Sequence, residues 1–475
     1  MTRTLKACVV GSGPNGLAAA IALARAGVSV TVLEANDTIG GGARSAALTR
    51  PGFVHDVCSA IHPMGIASPF FRALPLDKHG LEWIQPGIPL AHPLDGSATA
   101  VLERSPDVTA TRLGADGPAY KSLFEPLVAN ERLLEALLEP LVPPRRPLAV
   151  ARFGLRALRS AQGLARSKFA GAQARALFAG IAAHAILPLE DMATASFALV
   201  LGMVGHSHGW PLPKGGTQSI SNALASYLRS LGGSVVTGRR VESAADIGDA
   251  DIVMFDVGPR QLAHIGRDRL PEGYRASLMR YRYGPGAFKL DWALSAPIPW
   301  RDAECARAGT VHLGGTLEEI AASEREVARG EHPARPFVIL TQPSLFDPSR
   351  APPGQHTAWA YCHVPNGSTV DMTERIESQV ERFAPGFAGT VLARSVLAPA
   401  DLAAGNANYV GGDVVGGAND LMQTLFRPMF KLDPYATPVR GWYLCSASTP
   451  PGGGVHGMCG YHAARSALGA FGIRE

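Results

Sequence analysis

Three glycines at Gly11, Gly13 and Gly16, followed by an acid at Glu34, carry the most chemically specific spacing in the chain. The first permits a tight turn, the second lets backbone approach a pyrophosphate, and the third lets helix and strand pack closely. A diphosphate would then sit at a helix N-terminus, where free N–H groups and the helix dipole favour negative charge. Ser12, Pro14 and Asn15 complete that turn. Glu34 and Ala35 close the next strand, where a carboxylate accepts hydrogen bonds from a ribose and disfavours a 2′-phosphate. At the other end of the chain, His456 follows two prolines and three glycines (Pro450 to Gly454). An imidazole with its ordinary pKa near 6.5 exchanges protons at neutral pH. The plainer reading of His456 is a helix-start histidine bound to backbone.

The elements needed to position these residues are legible around them. Cys8 to Val10 reads as a short buried strand, Leu17 to Ala26 as an Ala/Leu helix ended by Gly27, and Val28 to Leu33 as a β-branched strand. Later, "PKGG" opens a helix from Thr217 to Leu231, and "SVVTGRRVESA" reads as a strand pair containing Val241. "ADIVMFDVGPRQL" (Ala250 to Leu262) and "GWYLCSAST" (Gly441 to Thr449) read as further core strands.

With 475 residues, 46% of them hydrophobic, the chain can bury more than one core. A formal net charge of +4 is too weak a bias to point to nucleic acid. The six cysteines are far apart without a C-x-x-C, so neither a zinc cluster nor a local redox dithiol is expected. Cys445 and Cys459 are expected to pack rather than react. His206 and His208 have metal-like spacing but no third ligand nearby, so no metal is expected; His55 and His62 read as structural. The first residues run straight into a strand and no apolar run is long enough to span a bilayer, which suggests a cytoplasmic setting.

"NDTIGGGARSAALTRPGFVHDVCSA" (Asn36 to Ala60) resembles the second FAD motif of the flavoprotein group containing amine oxidases and phytoene desaturases. That resemblance implies that Gly41, Gly42, Ala43 and Arg44 close over the diphosphate of FAD. "SASTPPGGGVHG" resembles the C-terminal FAD motif of phytoene-desaturase-like proteins, which places Ala447, Gly453, Gly454 and Val455 at the flavin, with Ser446 where that group commonly has glycine. There the following helix start stabilises charge developing on the reduced ring. The Pro-x-Gly-Gly block implies a helix near the flavin and places Val241 by the adenine. "GNANYVGGDVVGGANDLMQTLFRP" (Gly405 to Pro428) resembles a loop of the phytoene-dehydrogenase-related subgroup. No second G-x-G-x-x-G is present, so a separate NADPH domain is not expected.

The expected fold is α/β: a discontinuous Rossmann-like FAD-binding domain of the glutathione reductase/amine oxidase type (1–75, 200–265, 400–475) beside an α+β substrate domain (76–199, 266–399). The latter should contain a mixed or antiparallel sheet and a basic helical segment, 141–188. Within that segment Arg152, Arg156, Arg159 and Arg166 are spaced to share one helical face opposite Phe153, Leu155 and Leu158. It reads either as a solvated surface or as an interfacial helix resting on anionic lipid, which leaves peripheral membrane contact open. In "AFKLDWALSAPIPW", Lys289 and Asp291 alternate with Phe288, Leu290, Trp292 and Leu294, so they face either solvent or a cavity opposite the flavin.

The resemblance implies an FAD-dependent oxidoreductase that moves a hydride to or from a carbon–carbon bond of a small apolar, isoprenoid or lipid-like substrate. The electron acceptor is left open among oxygen, quinone and NAD(P). Lys289 and His456 are the side chains that could move protons. Amine oxidation, a non-redox isomerase and an FAD-containing assembly protein are the alternatives.

Overall fold

The computed structural model describes residues 4–140, 144 and 146–473; Arg145 and positions 141–143 of the basic segment lie outside the described residues. Strand β1 (Lys6–Val10) enters the interior at once, with Ala7 to Val10 buried. Helix α1 (Pro14–Arg25) begins one turn earlier than the Ala/Leu pattern alone indicates, because Pro14 supplies a helical φ where its missing N–H costs nothing. Its residues from Asn15 to Leu23 are buried on every side, which explains a helix apolar all round. Gly27, at φ +80°, ends the turn, and β2 (Ser29–Leu33) follows.

Strands β3 (Ile88–Leu94) and β4 (Ser97–Leu102) form a hairpin, and a helical insertion then carries α2 (Pro147–Ala157), α3 (Ala161–Lys168), α4 (Ala172–Ala182) and α5 (Ala195–Ser207). The single basic face expected through Arg166 is broken. Ser160 Oγ accepts from Gly163 N at 3.1 Å and starts α3 as a new helix, so Arg166 stands apart from Arg152 and Arg156. The opposite face also differs from expectation. Phe153 and Ala157 are buried, whereas Leu155 is 79% and Leu158 46% exposed, alongside Leu148 at 78%. Acids distant in sequence answer two of the basic residues: Arg166 pairs with Glu318 at 3.2 Å and Arg146 with Glu135 at 3.8 Å.

Helix α6 (Gln218–Ser230) leads to β5 (Ser234–Val236) and then β6 (Ile252–Phe255). The expected second strand through Val241 does not form; Val241 lies in an irregular turn and packs into the core beside Cys8 and Val10. The chain continues through β7 (Gly286–Leu294), β8 (Ala308–Leu313), α7 (Leu317–Ala328), β9 (Val338–Thr341), β10 (His356–Val364), β11 (Val391–Leu397), β12 (Trp442–Leu444) and α8 (Met458–Ala470).

Two sheets organise the molecule. The first, in the order β12-β6-β1-β2-β5, is parallel throughout and drawn from three separated stretches of chain. Helix α1 packs on it against α6 and α8. The second, in the order β11-β7-β10-β9-β8-β3-β4, is mixed: β3 and β8 run parallel and the other pairs antiparallel. This is an α/β architecture of the Rossmann-like, amine oxidase type, with a mixed second sheet and a helical insertion. Among the described residues no helix is long and apolar enough to cross a membrane.

Candidate functional site

A cavity of about 830 Å³ runs from the C-terminal ends of β1, β2 and β6 to one face of the second sheet. Ligands of open parallel sheets bind outside the carboxyl ends of the strands, and this cavity begins there. Gly11, Ser12, Gly13, Pro14, Asn15, Glu34, Ala35, Gly41, Gly42, Ala43, Val241, Lys289, Ala447, Gly454 and Val455 all line it. Gly11 (φ +99°) and Gly454 (φ +128°) adopt backbone conformations that other residues resist. Glu34 is buried, and its carboxylate accepts from Ser12 N at 2.9 Å, Ser12 Oγ at 2.6 Å and Asn36 N at 2.9 Å. That ties the end of β2 to the glycine turn.

Four residues expected at the site do not line the cavity. Gly16 serves packing: a Cβ there would lie 2.2 Å from Gly11 O. Gly453 faces Val415 O, 2.7 Å from where its Cβ would be. Arg44 Nη2 donates to Gly405 O at 3.2 Å and so ties the second glycine motif to the late loop. His456 is buried; its Nδ1 accepts from Met458 N at 3.0 Å, its carbonyl accepts from Ser68 Oγ at 2.7 Å, and burial lowers its pKa to about 4. The expectation that it exchanges protons at the cavity is therefore corrected. Its ring instead holds the start of α8.

Lys289 and Asp291 resolve in favour of the cavity side of β7. Both are buried and ion-paired, and the Lys289 ammonium lies 5.5 Å from the centroid of Trp359. Burial pushes the Asp291 carboxyl up to about 6 despite Lys289. Beneath them the "GFVHD" stretch forms a charged underlayer: Asp56 binds Arg350 at 2.6 Å, Thr217 N at 2.7 Å and Ser45 Oγ at 2.8 Å. Burial opposes ionisation of Asp56, yet Arg350 and these donors hold its pKa below the usual carboxylate range. His55 donates or accepts at Thr49 Oγ1, 2.8 Å away, and burial and then Lys289 lower its pKa to about 3.

Asp256, absent from the expected site residues, also reaches the glycine turn. Its Oδ2 accepts from Gly16 N at 2.9 Å, and a Cβ on Gly13 would lie 2.5 Å from the same oxygen. Burial pushes its carboxyl up to about 7, the Gly16 and Gly13 amides pull against that rise, and Glu34 adds to it. The available signal was an acid directly after a buried parallel strand, "IVMFD". His206 bonds Tyr120 Oη at 2.7 Å, and among the described residues no cluster of three or more metal-ligating side chains occurs. Cys445 and Cys459 are buried, with thiol pKa values raised by burial.

This fold and glycine turn are those of the FAD/NAD(P)-binding Rossmann type. Residues 9–74 match the NAD(P)-binding Rossmann-like domain. The chain is 26% identical to the rat (Rattus norvegicus) pyridine nucleotide-disulfide oxidoreductase domain-containing protein 2, across 96% of this chain and 92% of that one. It is 24% identical to a lycopene-forming phytoene desaturase from Paracoccus over 56% of each chain. An oxidoreductase from Methanosarcina mazei shares the fold with a TM-score of 0.66 at 18% identity, over 98% of this chain and 100% of that one.

Proposed function

We propose that this protein binds FAD and transfers a hydride between it and a carbon–carbon bond of an apolar substrate. The observation that carries the proposal is one continuous cavity joining the glycine turn to a wall that includes Met64, Leu201, Trp210, Ile339 and Trp359. The residues present fit the cofactor. The glycine turn brings the start of α1 to the diphosphate, Glu34 offers a carboxylate to a ribose, and Val241 offers an apolar surface to the adenine. Gly41 to Ala43 would close over the diphosphate, and Ala447, Gly454 and Val455 would hold the flavin portion. When bound, FAD supplies the hydride acceptor or donor. The chain's own work is to orient the substrate, exclude water with the apolar wall, and keep the Lys289 ammonium fixed by Asp291 and Trp359 for proton exchange at Nζ. Amine oxidation is the second reading, favoured by the lysine in the cavity wall.

The test is an anaerobic visible spectrum of the purified flavoprotein during addition of apolar isoprenoids and lipids, then amines. Bleaching by the first class supports carbon–carbon chemistry, and bleaching by amines alone replaces it with the second reading. A tightly held flavin that no class bleaches overturns redox catalysis and leaves the isomerase or assembly protein. Reoxidation of the bleached protein by oxygen, a quinone or NAD(P) identifies the acceptor.

Asp256 makes cofactor binding pH-dependent in this scheme. Its carboxyl shares the α1 terminus with the diphosphate site, facing Glu34 across the turn and Cys445 and Cys459 from behind. A carboxylate there repels a diphosphate, and a protonated carboxyl does not. Affinity for FAD should therefore rise as pH falls through about 7, by at most about tenfold per pH unit for one linked proton. Titration of apoprotein with FAD between pH 6 and pH 8 measures this, and Asp256→Asn should flatten the profile.

Peripheral contact with anionic lipid through α2 belongs to the same proposal, because Leu148, Leu155 and Leu158 are exposed beside Arg152, Arg156 and Arg159. Flotation with anionic vesicles should carry the protein upward, and Leu148→Glu with Leu155→Glu should leave it at the bottom. Equal recovery of both proteins would remove this contact.

A further inference from the structure

At the deep end of the cavity, three histidines meet beneath α4. His184 lines the cavity from the 3₁₀ turn Ala183–Ala185 that follows α4, and His312 on β8 and His92 on β3 are fully enclosed behind it. His184 Nε2 and His312 Nε2 are 3.0 Å apart, so one ring donates and the other accepts. His92 Nε2 lies 2.7 Å from Gly315 O; a carbonyl only accepts, so His92 carries its proton on Nε2 and its Nδ1 is a lone pair.

The Nδ1 atoms of His92 and His312 are both buried without a partner, and they converge on Gly180 of α4. A Cβ on Gly180 would lie 2.8 Å from His312 Nδ1 and 2.9 Å from His92 Nδ1. Glycine is what allows two imidazoles under the helix. An orphaned buried lone pair is tolerated better than an orphaned N–H. His312 is therefore set with its proton on Nε2, donating to His184 Nε2. That leaves the proton of His184 on Nδ1, for which no partner occurs among the described residues. Burial holds all three rings neutral at physiological pH, with His184 lowered to about 3, His92 to about 4 and His312 further still.

We propose that His184 is a specificity residue that presents a fixed N–H donor to the cavity and selects an apolar substrate bearing an oxygen acceptor, such as a carbonyl, over a plain hydrocarbon or an alkylammonium. His312 and His92 act through it, as positioning residues that set its tautomer. The inference deepens the proposed function and rests on it for the substrate's apolar body. An ammonium group has no lone pair for this N–H, and a hydrocarbon leaves it unsatisfied.

Binding of a linear isoprenoid hydrocarbon, and of the aldehyde and primary amine of the same chain, is measured on the holoprotein by quenching of tryptophan fluorescence. The aldehyde should bind about tenfold tighter than the hydrocarbon, the value of one net hydrogen bond, and the amine no tighter than the hydrocarbon. His184→Phe should erase the preference of the aldehyde over the hydrocarbon; His184→Asn, whose amide can replace Nδ1–H, should keep most of it. Equal binding of aldehyde and hydrocarbon to the wild type overturns the inference while leaving the proposed function intact. Failure of every ligand to bind or to bleach the flavin overturns the proposed function and the inference with it. Nitrogen-15 spectra of histidine-labelled protein test the wiring without any ligand: His92 and His312 should be Nε2–H and His184 Nδ1–H. His312 in the Nδ1–H form would also overturn it.

Discussion

Gly460→Ala should leave a protein that cannot hold a dinucleotide. Helix α8 crosses α1 at this glycine, and a Cβ there would sit 1.8 Å from Asn15 O, 2.7 Å from the Asn15 carbonyl carbon and 3.0 Å from Ala19 N. All three are backbone atoms of α1, so no side-chain rotation relieves the clash. The helices must separate, and overpacking of this kind costs about 3 kcal/mol or more. The displaced segment is the first turn of α1, which holds the diphosphate in the proposed function. Loss of stability and loss of FAD should therefore appear together, in the urea midpoint and in the dissociation constant. Gly469→Ala on the same helix is the control. A Cβ there meets nothing within 4 Å, so the helix should gain about 0.5–1 kcal/mol. A Gly460→Ala protein with the wild-type midpoint would refute this account of the crossing.

That crossing illustrates which parts of the molecule were legible in the sequence. The β1-α1-β2 unit was, because its turn glycines, its apolar helix and its terminal acid lie within one short segment and each has a local cause. The mixed second sheet could be anticipated from alternation in β7, but whether Lys289 and Asp291 faced water or a cavity could not, since the opposing elements arrive from elsewhere in the chain. For His456 adjacency to the glycines left two readings, proton exchange at the cavity and a helix-start ring bound to backbone, and the ring takes the second by accepting from Met458 N. Asp256 and the histidines at positions 92, 184 and 312 escaped notice because they are brought together by contacts between β6 and the α1 turn, and between β3, β8 and the end of α4. The break between α2 and α3 did carry a local signal, Ser160 three residues before Gly163, that helical periodicity obscured.

Those buried histidines also set the largest expected response to pH, a collapse of stability below about pH 6.5. Burial holds His55 and His184 down to about 3, His62, His92, His206 and His456 to about 4, and His312 well below its ordinary value. For a histidine with a lowered folded pKa, neither state is protonated above the unfolded value near 6.5, and the stability is intact there. As pH falls below it, the unfolded chain takes up protons that the native state refuses, so each such ring removes up to about 1.4 kcal/mol per pH unit. Carboxyls raised by burial work in the opposite direction. Asp256 and Asp291, raised by burial to about 7 and about 6, bind protons in the native state first, and so add stability as pH falls toward 4. Seven rings outweigh the raised carboxyls, Asp191 and Asp413 included, and a total stability of about 5–15 kcal/mol is exhausted within one or two pH units. Urea unfolding of the apoprotein at pH 7, 6 and 5 should show the midpoint falling steeply, with native structure lost near pH 5. A midpoint unchanged across that range would mean that water reaches these rings, including the pair that sets the His184 proton.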